Sequence, residues 1–288
     1  MKESSCLDIV ETIKNYDNLT TIESRGVFER LEKGLFELEQ IPDEGYKLKE
    51  YRSGGMYCRE ITIPEGAFIT GRIYKFDHVE IMLSGDITIL SANGGKKRYQ
   101  GNNVIEAKAG KRQGGLAHKE TKWLTINCIP DHLPLNEALD FTSVFTYQQY
   151  KEFHDHLNRA DYEYFLSEIG LSHNEMEKIV NTDDVTDLPI GYEHITVGKS
   201  SLSGQGLFTS QEIKAGSLIC PVRIMEKRTI AGRYSNHALH SNTKPVVEGN
   251  VFYIMATKDI QPNEEITMNY RDILSFRDNQ GDLSCQDG

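Results

Sequence analysis

The sequence contains no long hydrophobic run. Of its 288 residues 38% are hydrophobic, yet no apolar stretch approaches the length of about 20 residues that a membrane-spanning helix needs. The N-terminal stretch MKESSCLDIVETIK carries charged residues where a secretory signal peptide has its apolar segment. Both features predict a protein without a membrane partner, and cytoplasmic residence is the default expectation.

Cysteine is also scarce. The five cysteines are scattered, without a CxxC pair and without a histidine at zinc-finger spacing: Cys6, Cys58, Cys128, Cys220 and Cys285. An odd number of scattered thiols argues against a disulfide framework and predicts reduced cysteines. A structural zinc site is therefore not expected.

Basic residues are rare in one part of the chain. The net charge is −11, and residues 131–190 hold 3 Lys and Arg against 13 Asp and Glu, whereas residues 1–130 hold 19 of each class. The acidic segment is either a solvated helical face or an acidic surface for a basic partner. In both cases no basic patch supports binding to nucleic acid.

Secondary-structure patterns divide the chain into alternating helical and β-rich parts. Residues 7–40 have apolar residues three and four apart, as in a helix. In the first β-rich part, Asn93-Gly94 predicts a hairpin turn. Ser172 and Glu175 predict a capping box in the acidic part. The predicted segments are 1–49 (N-terminal helical segment), 50–130 (β-barrel), 131–190 (acidic helical connector), 191–274 (a second β-rich domain) and 275–288 (polar tail). We therefore expect a mainly β protein with helical segments (α+β), whose first β domain is an antiparallel barrel or jelly roll.

Three short motifs follow one another after residue 190. They are Gly204-Gln205-Gly206, the segment RYSNHALHSN with Asn236 and His237, and the segment EEITMNY that ends at Tyr270. A lone GxG is usually a turn, and a lone terminal tyrosine usually packs the end of a barrel. In this order, however, the three motifs resemble the SET domain of protein lysine methyltransferases.

The resemblance implies a compact SET β-fold with knot-like C-terminal threading, built around S-adenosylmethionine. It implies that Tyr270 is the catalytic tyrosine, whose hydroxyl orients the amine and stabilises charge at the transfer site. Tyr234 and Tyr253 are candidate aromatics of the substrate channel, although core packing also explains them. The implied cofactor-binding residues are Gly204, Gln205, Gly206, Arg233, Asn236 and His237.

The sequence departs from this family on the side of the peptide substrate. Only 29 residues separate Gly206 from Asn236, fewer than the family usually has, and the cysteine-rich closing segment is absent. Ala238 replaces the usual serine after Asn-His, and Asn269 replaces the usual aspartate before Tyr270. Another part of the chain, such as the acidic segment 131–190, or a partner would have to complete the substrate groove.

Residues 50–130 resemble the cupin-like domains found beside SET modules in bacteriophage proteins. A cupin metal site needs several histidines and a carboxylate, but Tyr74 and Asn127 stand where histidines are expected. His78, Glu80 and His118 remain as weak candidate ligands, and ordinary surface or hydrogen-bonded histidines are the simpler interpretation. We expect no metal here, and interpret the domain as a binding or assembly module through which a homo-oligomer would form.

The leading functional hypothesis is an S-adenosylmethionine-dependent methyltransferase that modifies a lysine of a protein substrate. By resemblance it would be virus-encoded and act in the host cytoplasm. The alternative is a non-catalytic SET-like scaffold that works through S-adenosylmethionine or protein contacts, so the sequence leaves open whether the protein is an enzyme. A metal-dependent cupin enzyme is a third hypothesis.

Overall fold

The computed structural model describes residue 16 and residues 21–35, 47–92 and 94–274. The chain divides into two compact units, Met1–Lys151 and Glu152–Gly288. Most of residues 7–20, all of 36–40 and the predicted polar tail lie outside the described residues, so the predictions made for them stay predictions. Within the described ranges, no helix is both long enough and apolar enough to cross a membrane.

The first unit is an antiparallel β structure that also contains two complete helices and the start of a third. Its core strands run β1-β2-β8-β5-β6, with β3 paired to β8 and β7 paired to β5. The elements are α1 (Thr21–Leu35), β1 (Lys49–Ser53), β2 (Met56–Ile63), β3 (Phe68–Thr70), β4 (Ile73–Tyr74), β5 (His78–Ser91), β6 (Lys96–Gln100), β7 (Asn103–Ala107), β8 (Gln113–Cys128), α2 (Leu135–Thr142) and β9 (Ser143–Val144). Helix α3 (Tyr147–Glu168) begins in this unit and continues into the second.

Strands β5 and β8 form the centre of the first unit because they are long enough to take several partners each. β5 pairs with β7 through residues 78–82 and with β6 through residues 86–90. β8 pairs with β2 and, nearer its start, with β3. Met82 and Ile87 of β5 and Trp123 of β8 pack with Ile63 of β2 in one buried core. β5 and β6 pair as the antiparallel hairpin that Asn93-Gly94 predicted, and Gly94 has a φ of 103°, while Asn93 lies outside the described residues.

The mainly β class with helical segments is confirmed, but the predicted barrel is not closed. In the described residues the strand path ends at β1 and β6, which do not pair with each other. The reason is that β5 and β8 each pair with different strands along different parts of their length. Register shifts between Met82 and Ile87 separate the two parts of β5.

The predicted helical connector, residues 131–190, is interrupted by a short strand. Val144 lies in β9, which pairs with β4. The hydroxyls of Thr142 and Ser143 donate to the carbonyls of Ala138 and Leu139. These bonds satisfy the end of α2, and the chain becomes extended at Ser143, with φ −147° and ψ 164°.

Gly85 is the position in the first unit where we expect a methyl group to be most disruptive. Its φ is +119°, and an added Cβ would lie 2.6 Å from Cα of Thr121. We expect Gly85→Ala to lower the free energy of unfolding by about 3 kcal/mol, measured by urea denaturation with the fluorescence of Trp123. Gly34→Ala is the control, because nothing lies within 4 Å of the added methyl and the helix gains up to about 1 kcal/mol. Equal effects of the two substitutions would contradict the prediction.

The second unit contains two small sheets. One has the order β10-β14-β13-β17-β16 and the other β11-β12-β18-β15. The elements after α3 are α4 (His173–Val180), β10 (Val185–Thr186), β11 (Ile195–Lys199), β12 (Gln205–Thr209), β13 (Leu218–Ile224), β14 (Lys227–Thr229), α5 (Ile230–Tyr234), β15 (Asn236–His237), β16 (Thr243–Glu248), β17 (Val251–Ala256) and β18 (Glu265–Met268). Both sheets contribute to one buried core that includes Leu207, Ile219, Ile254 and Ile266.

Most of the predicted acidic connector, residues 131–190, is part of this unit. The capping box predicted at Ser172 and Glu175 is confirmed and begins α4. The following segment forms β10, which pairs in parallel with β14, and Asp184 is bound by the guanidinium of Arg228. The second unit thus includes residues 152–190 of the acidic segment. β15 pairs in parallel with β18, and the knot-like threading itself stays a prediction.

Candidate functional site

A cavity of about 430 Å³ lies within the second unit. The GxG turn, the Asn-His strand β15, Tyr270 and residues of α3 and α4 line it. The structure brings to this wall seven of the residues singled out from the sequence: Gly204, Gln205, Arg233, Tyr234, Asn236, His237 and Tyr270. Gly206 and Tyr253, which the sequence also suggested, do not line the cavity.

The two glycines of the GxG motif have different surroundings. Gly204 has a φ of +48° and open space beyond its Cα, so the turn presents bare backbone to the cavity. Gly206 is buried in β12, opposite Gly198. A Cβ on Gly206 would come within 2.3 Å of Oε1 of Glu265. Gly206 therefore makes room for the Glu265 side chain and does not itself face the cavity.

The side chain of Asn236 connects the three motifs by hydrogen bonds. Its side-chain amide donates to the backbone carbonyls of Ser203 at 3.2 Å and Gln205 at 3.0 Å, and to Oε1 of Glu265 at 2.8 Å. The hydroxyl of Ser200 donates to the same carboxylate at 2.8 Å. Asn236 and Glu265 thus hold the GxG turn against β15, although the three segments are far apart in sequence.

Arg233 contacts the end of α4. Its guanidinium donates to the carbonyl of Val180 and to the side chain of Asn181. A cation is favourable at this end of a helix, because the last carbonyls lack partners within the helix. Arg228 donates to the carbonyls of Ile179 and Val180 as well. The two arginines therefore fasten α4 beside the cavity.

His237 lies in a network of hydrogen bonds and ion pairs. Its Nδ1 accepts the backbone N–H of Tyr270 at 3.2 Å, so Nε2 carries the proton in the neutral ring and donates to Asp161 at 2.8 Å. Asp161 also pairs with Arg271 at 2.7 Å. Burial raises the pKa of Asp161, but the hydrogen bonds from Arg271 and His237 outweigh this effect and lower it overall. Both ring nitrogens of His237 are occupied, so the ring is neither a free base nor a free metal ligand.

We expect the stability of the second unit to fall as the pH drops below about 6.5. Burial lowers the pKa of His237, and Asp161 only partly offsets this. The unfolded chain therefore takes up a proton at a higher pH than the folded chain, so the stabilisation present above the unfolded pKa is lost as the pH falls through the folded pKa. Hydrogen–deuterium exchange of peptides covering 236–270, corrected for intrinsic rates, would measure the fall. His237→Gln should flatten it, and an unchanged slope in that variant would contradict the assignment.

Tyr270 lies in a cluster of aromatic rings. Its ring centroid is 5.2 Å from that of His237, 5.9 Å from Phe165 and 6.1 Å from Tyr162. Its hydroxyl donates to the carbonyl of Ser235 at 2.9 Å. Burial raises the pKa of Tyr270, so the phenol keeps its proton at neutral pH. Because that proton is committed to Ser235, the hydroxyl oxygen offers an incoming ligand a hydrogen-bond acceptor.

Asn269 has its own role beside the catalytic candidate. Its amide donates to the carbonyl of Leu239 at 3.3 Å, and its side-chain oxygen accepts the N–H of Arg271 at 3.1 Å. An aspartate could not make the first contact when ionised, because it has no donor. The departure from the family pattern at this position thus ties Tyr270 to the segment after β15.

Helix α3 contributes residues that the sequence analysis did not single out. Asn158 and Tyr162 line the cavity, Asp161 binds His237, and Phe165 stacks on the His237 ring at 5.8 Å. Asn158 also accepts the N–H of Leu239 at 3.1 Å. These four residues have the i, i+3, i+4, i+7 spacing of one helical face. That spacing, with Asn and Asp among aromatic residues, was the signal available in the sequence.

The three weak metal candidates of the first unit do not come together. His78 and Glu80 are neighbours, with 3.6 Å between Nε2 and Oε1. His118 lies elsewhere, with Nε2 2.8 Å from the hydroxyl of Thr88. Across the described parts of the chain, no group of three or more His, Cys, Asp or Glu side chains is placed to hold a metal ion.

The second of the two units contains the part of the chain that matches a family model. Residues 223–271 match the family model of the SET domain, a domain of methyltransferases. The matched residues include Arg233, Asn236, His237 and Tyr270, while the GxG turn precedes them. No curated protein matches the sequence.

The similar solved structures include cupin superfamily proteins and match about a third of the chain. A cupin superfamily protein from Desulfitobacterium hafniense is 17% identical with a TM-score of 0.27, over 33% of this chain and 88% of that one. KdgF from a Halomonas species is 15% identical with a TM-score of 0.28, over 33% and 91%. A cupin-2 domain containing protein from Shewanella frigidimarina is 15% identical with a TM-score of 0.25, over 34% and 90%.

Proposed function

We propose that the protein is an S-adenosylmethionine-dependent methyltransferase that acts on a lysine side chain of a protein. The observation that carries the proposal is the cavity of the second unit, where the GxG turn, the Asn-His strand and Tyr270 meet. These segments come from distant parts of the sequence and are joined there by Asn236 and His237. The SET match over residues 223–271 supports the same reaction class.

The residues of the cavity fit the proposed cofactor. A volume of about 430 Å³ is within the range of small-molecule sites. The bare backbone at Gly204 allows close approach, and the rings of Tyr162 and Tyr270 are suited to a cation such as a sulfonium. When bound, S-adenosylmethionine supplies a methyl group already activated on sulfur, so that the protein mainly has to orient the acceptor.

Tyr270 would orient that acceptor. Its hydroxyl oxygen can accept an N–H of the incoming amine, because its own proton is donated to Ser235. This hydrogen bond would fix the orientation of the nitrogen lone pair. The amine must reach the site without its extra proton, and burial beside the positively charged sulfonium would disfavour the charged form. Tyr270 would not act as a general base, since burial raises its pKa.

The charge of the helices beside the cavity supports a basic substrate. Residues 152–190 of the second unit carry 10 Asp and Glu against 2 Lys and Arg. Glu177 is exposed and lines the cavity. Helices α3 and α4 would therefore take the place of the short insert and of the missing C-terminal segment, and present an acidic wall to a lysine-containing basic segment. The cytoplasmic place of action and the viral origin are part of this proposal and rest on the sequence resemblance.

A calorimetric titration of S-adenosylmethionine into the full chain tests the proposal. We expect binding by the wild type and a loss of affinity of about tenfold or more in Asn236→Ala, because the GxG turn loses its ties to β15. Asn250→Ala is the control, since Asn250 is exposed in the turn between β16 and β17. No binding by a folded, cofactor-free wild-type sample would overturn the proposal.

The alternative is a non-catalytic SET-like scaffold. It is favoured by one observation, namely that the side chains of Asn236 and Arg233 are bonded within the protein. The two functions differ in turnover. Transfer of label from tritiated S-adenosylmethionine to lysine peptides with basic flanks, and not to peptides with acidic flanks, would support the enzyme. Binding of the cofactor without transfer to either set would support the scaffold.

A further inference from the structure

A second cavity, of about 660 Å³, lies within the first unit. Its wall is partly apolar, with Ile61, Ile87 and Trp123. The same wall also carries ionisable side chains, among them Arg59, Arg72, His78 and Glu80. Neither the SET match nor the proposed methyl transfer uses this cavity.

The pair His78 and Glu80 leaves two acceptor atoms without partners in the cavity wall. Their side chains are only 3% and 9% exposed. Nδ1 of His78 lies 3.1 Å from the carbonyl of Phe76, so it must carry the proton and donate. In the neutral ring Nε2 is then an acceptor, and neither it nor Oε2 of Glu80 has a hydrogen-bond partner. Buried polar atoms of this kind are normally satisfied, and a hydroxyl group that donates to them would do so.

Two guanidinium groups on the same wall each have an N–H donor without a hydrogen-bond partner. Nε of Arg59 and Nε of Arg72 are buried without a hydrogen-bond partner. Arg72 uses another nitrogen to bind Asp140 at 2.6 Å, and Arg59 lies 3.9 Å from the carboxylate of Glu50. Tyr74, which stacks on His78 at 4.2 Å between ring centroids, is also a cavity residue, and burial raises its pKa. Its phenol therefore stays protonated at physiological pH, and it already has hydrogen bonds with Thr125 and Arg59.

We propose that the first unit binds a small hydroxylated organic acid in this cavity. Arg59 and Arg72 would receive the carboxylate, which is the group that a guanidinium donor recognises best. The hydroxyl groups would donate to Nε2 of His78 and Oε2 of Glu80. An unsubstituted fatty acid would leave those two acceptors unsatisfied, and a neutral polyol would leave the guanidinium donors unsatisfied. The site therefore selects for both groups on one molecule.

A matched set of six-carbon compounds tests this specificity on the full chain. The probes are D-gluconate, which has a carboxylate and hydroxyls, hexanoate, which has only the carboxylate, and sorbitol, which has only hydroxyls. Binding is followed by calorimetry and by the fluorescence of Trp123, with EDTA present to remove metal ions. We expect gluconate to bind at least about tenfold more tightly than either analogue. Equal binding of hexanoate or of sorbitol, binding that requires added Zn²⁺ or Mn²⁺, or no gluconate binding up to about 10 mM would overturn the proposal.

Two variants separate the two halves of the recognition. Arg59→Gln should weaken gluconate about tenfold and remove most of its advantage over sorbitol, whereas His78→Phe should remove most of its advantage over hexanoate. Lys122→Gln makes the same change of charge as the first variant at an exposed position of β8 and should leave all three affinities unchanged. Retention of both preferences in both variants would place the site elsewhere. If a variant does not fold, as judged by circular dichroism, the wild-type series alone decides.

Discussion

Replacing Tyr270 with phenylalanine should reduce methyl transfer about 100-fold or more and leave the affinity for S-adenosylmethionine within about threefold of the wild type. The substitution removes one oxygen and keeps the ring, so the aromatic contacts with His237 and Phe165 remain. What is lost is the hydroxyl that donates to Ser235 and that would accept the amine. Radiolabel transfer to lysine peptides measures the first effect, and calorimetry measures the second.

Tyr253→Phe is the matched control for this experiment. It makes the same chemical change on β17, outside the cavity wall. Transfer and cofactor affinity should both stay at the wild-type level. If Tyr270→Phe keeps full activity, the hydroxyl does not orient the acceptor, and the role implied by the resemblance is wrong. If both variants lose activity together, the defect is one of folding rather than of the site.

The second large effect is expected for Asp161→Ala. Removing the carboxylate leaves Nε2–H of His237 buried without an acceptor and takes one of two carboxylates from Arg271. Breaking such a buried pair costs about 3 kcal/mol. The loss should appear as faster hydrogen exchange in peptides covering 236–270 and as weaker binding of S-adenosylmethionine, because β15 and Tyr270 lose their support from α3.

Glu163→Ala provides the comparison on the same helix. Glu163 also pairs with a histidine, His173, but the two side chains are 60% and 64% exposed, so the pair contributes less than about 0.5 kcal/mol. Asp161→Asn should fall between the two, since an amide oxygen still accepts from His237 but the charge opposite Arg271 is gone. Equal effects of Asp161→Ala and Glu163→Ala would show that α3 does not support the site.

Parts of this architecture were predictable from local pattern alone. The capping box at Ser172 and Glu175 depends on residues three apart, and the hairpin near Gly94 depends on a single turn, so both can be read from short stretches. The open path of the first sheet was not predictable in this way. It depends on how β5 and β8 pair with several strands each, including β2, whose residue Met56 pairs with Cys128 of β8.

The candidate site also has some features that the sequence predicted and others that it did not. The resemblance to the SET family implied that Gly204, Gln205, Asn236, His237 and Tyr270 belong to one pocket, and the structure places all five along one cavity wall. The sequence did not reveal that Gly206 makes room for Glu265, or that the side chain of Arg233 binds the end of α4. Nor did it reveal the partner of His237, because Asp161 is 76 residues away.

The sequence by itself determined the class of the second unit, the order of its motifs and the residue types that its cavity presents. Those features reside in short segments whose chemistry is local. The tertiary structure alone decided which side chains face the cavity and which hold it together, and it placed residues of α3 and α4 in the cavity wall. These outcomes depend on long-range packing. Asp161 contacts His237 and Arg271 only after the chain has folded, because the three residues lie far apart in the sequence.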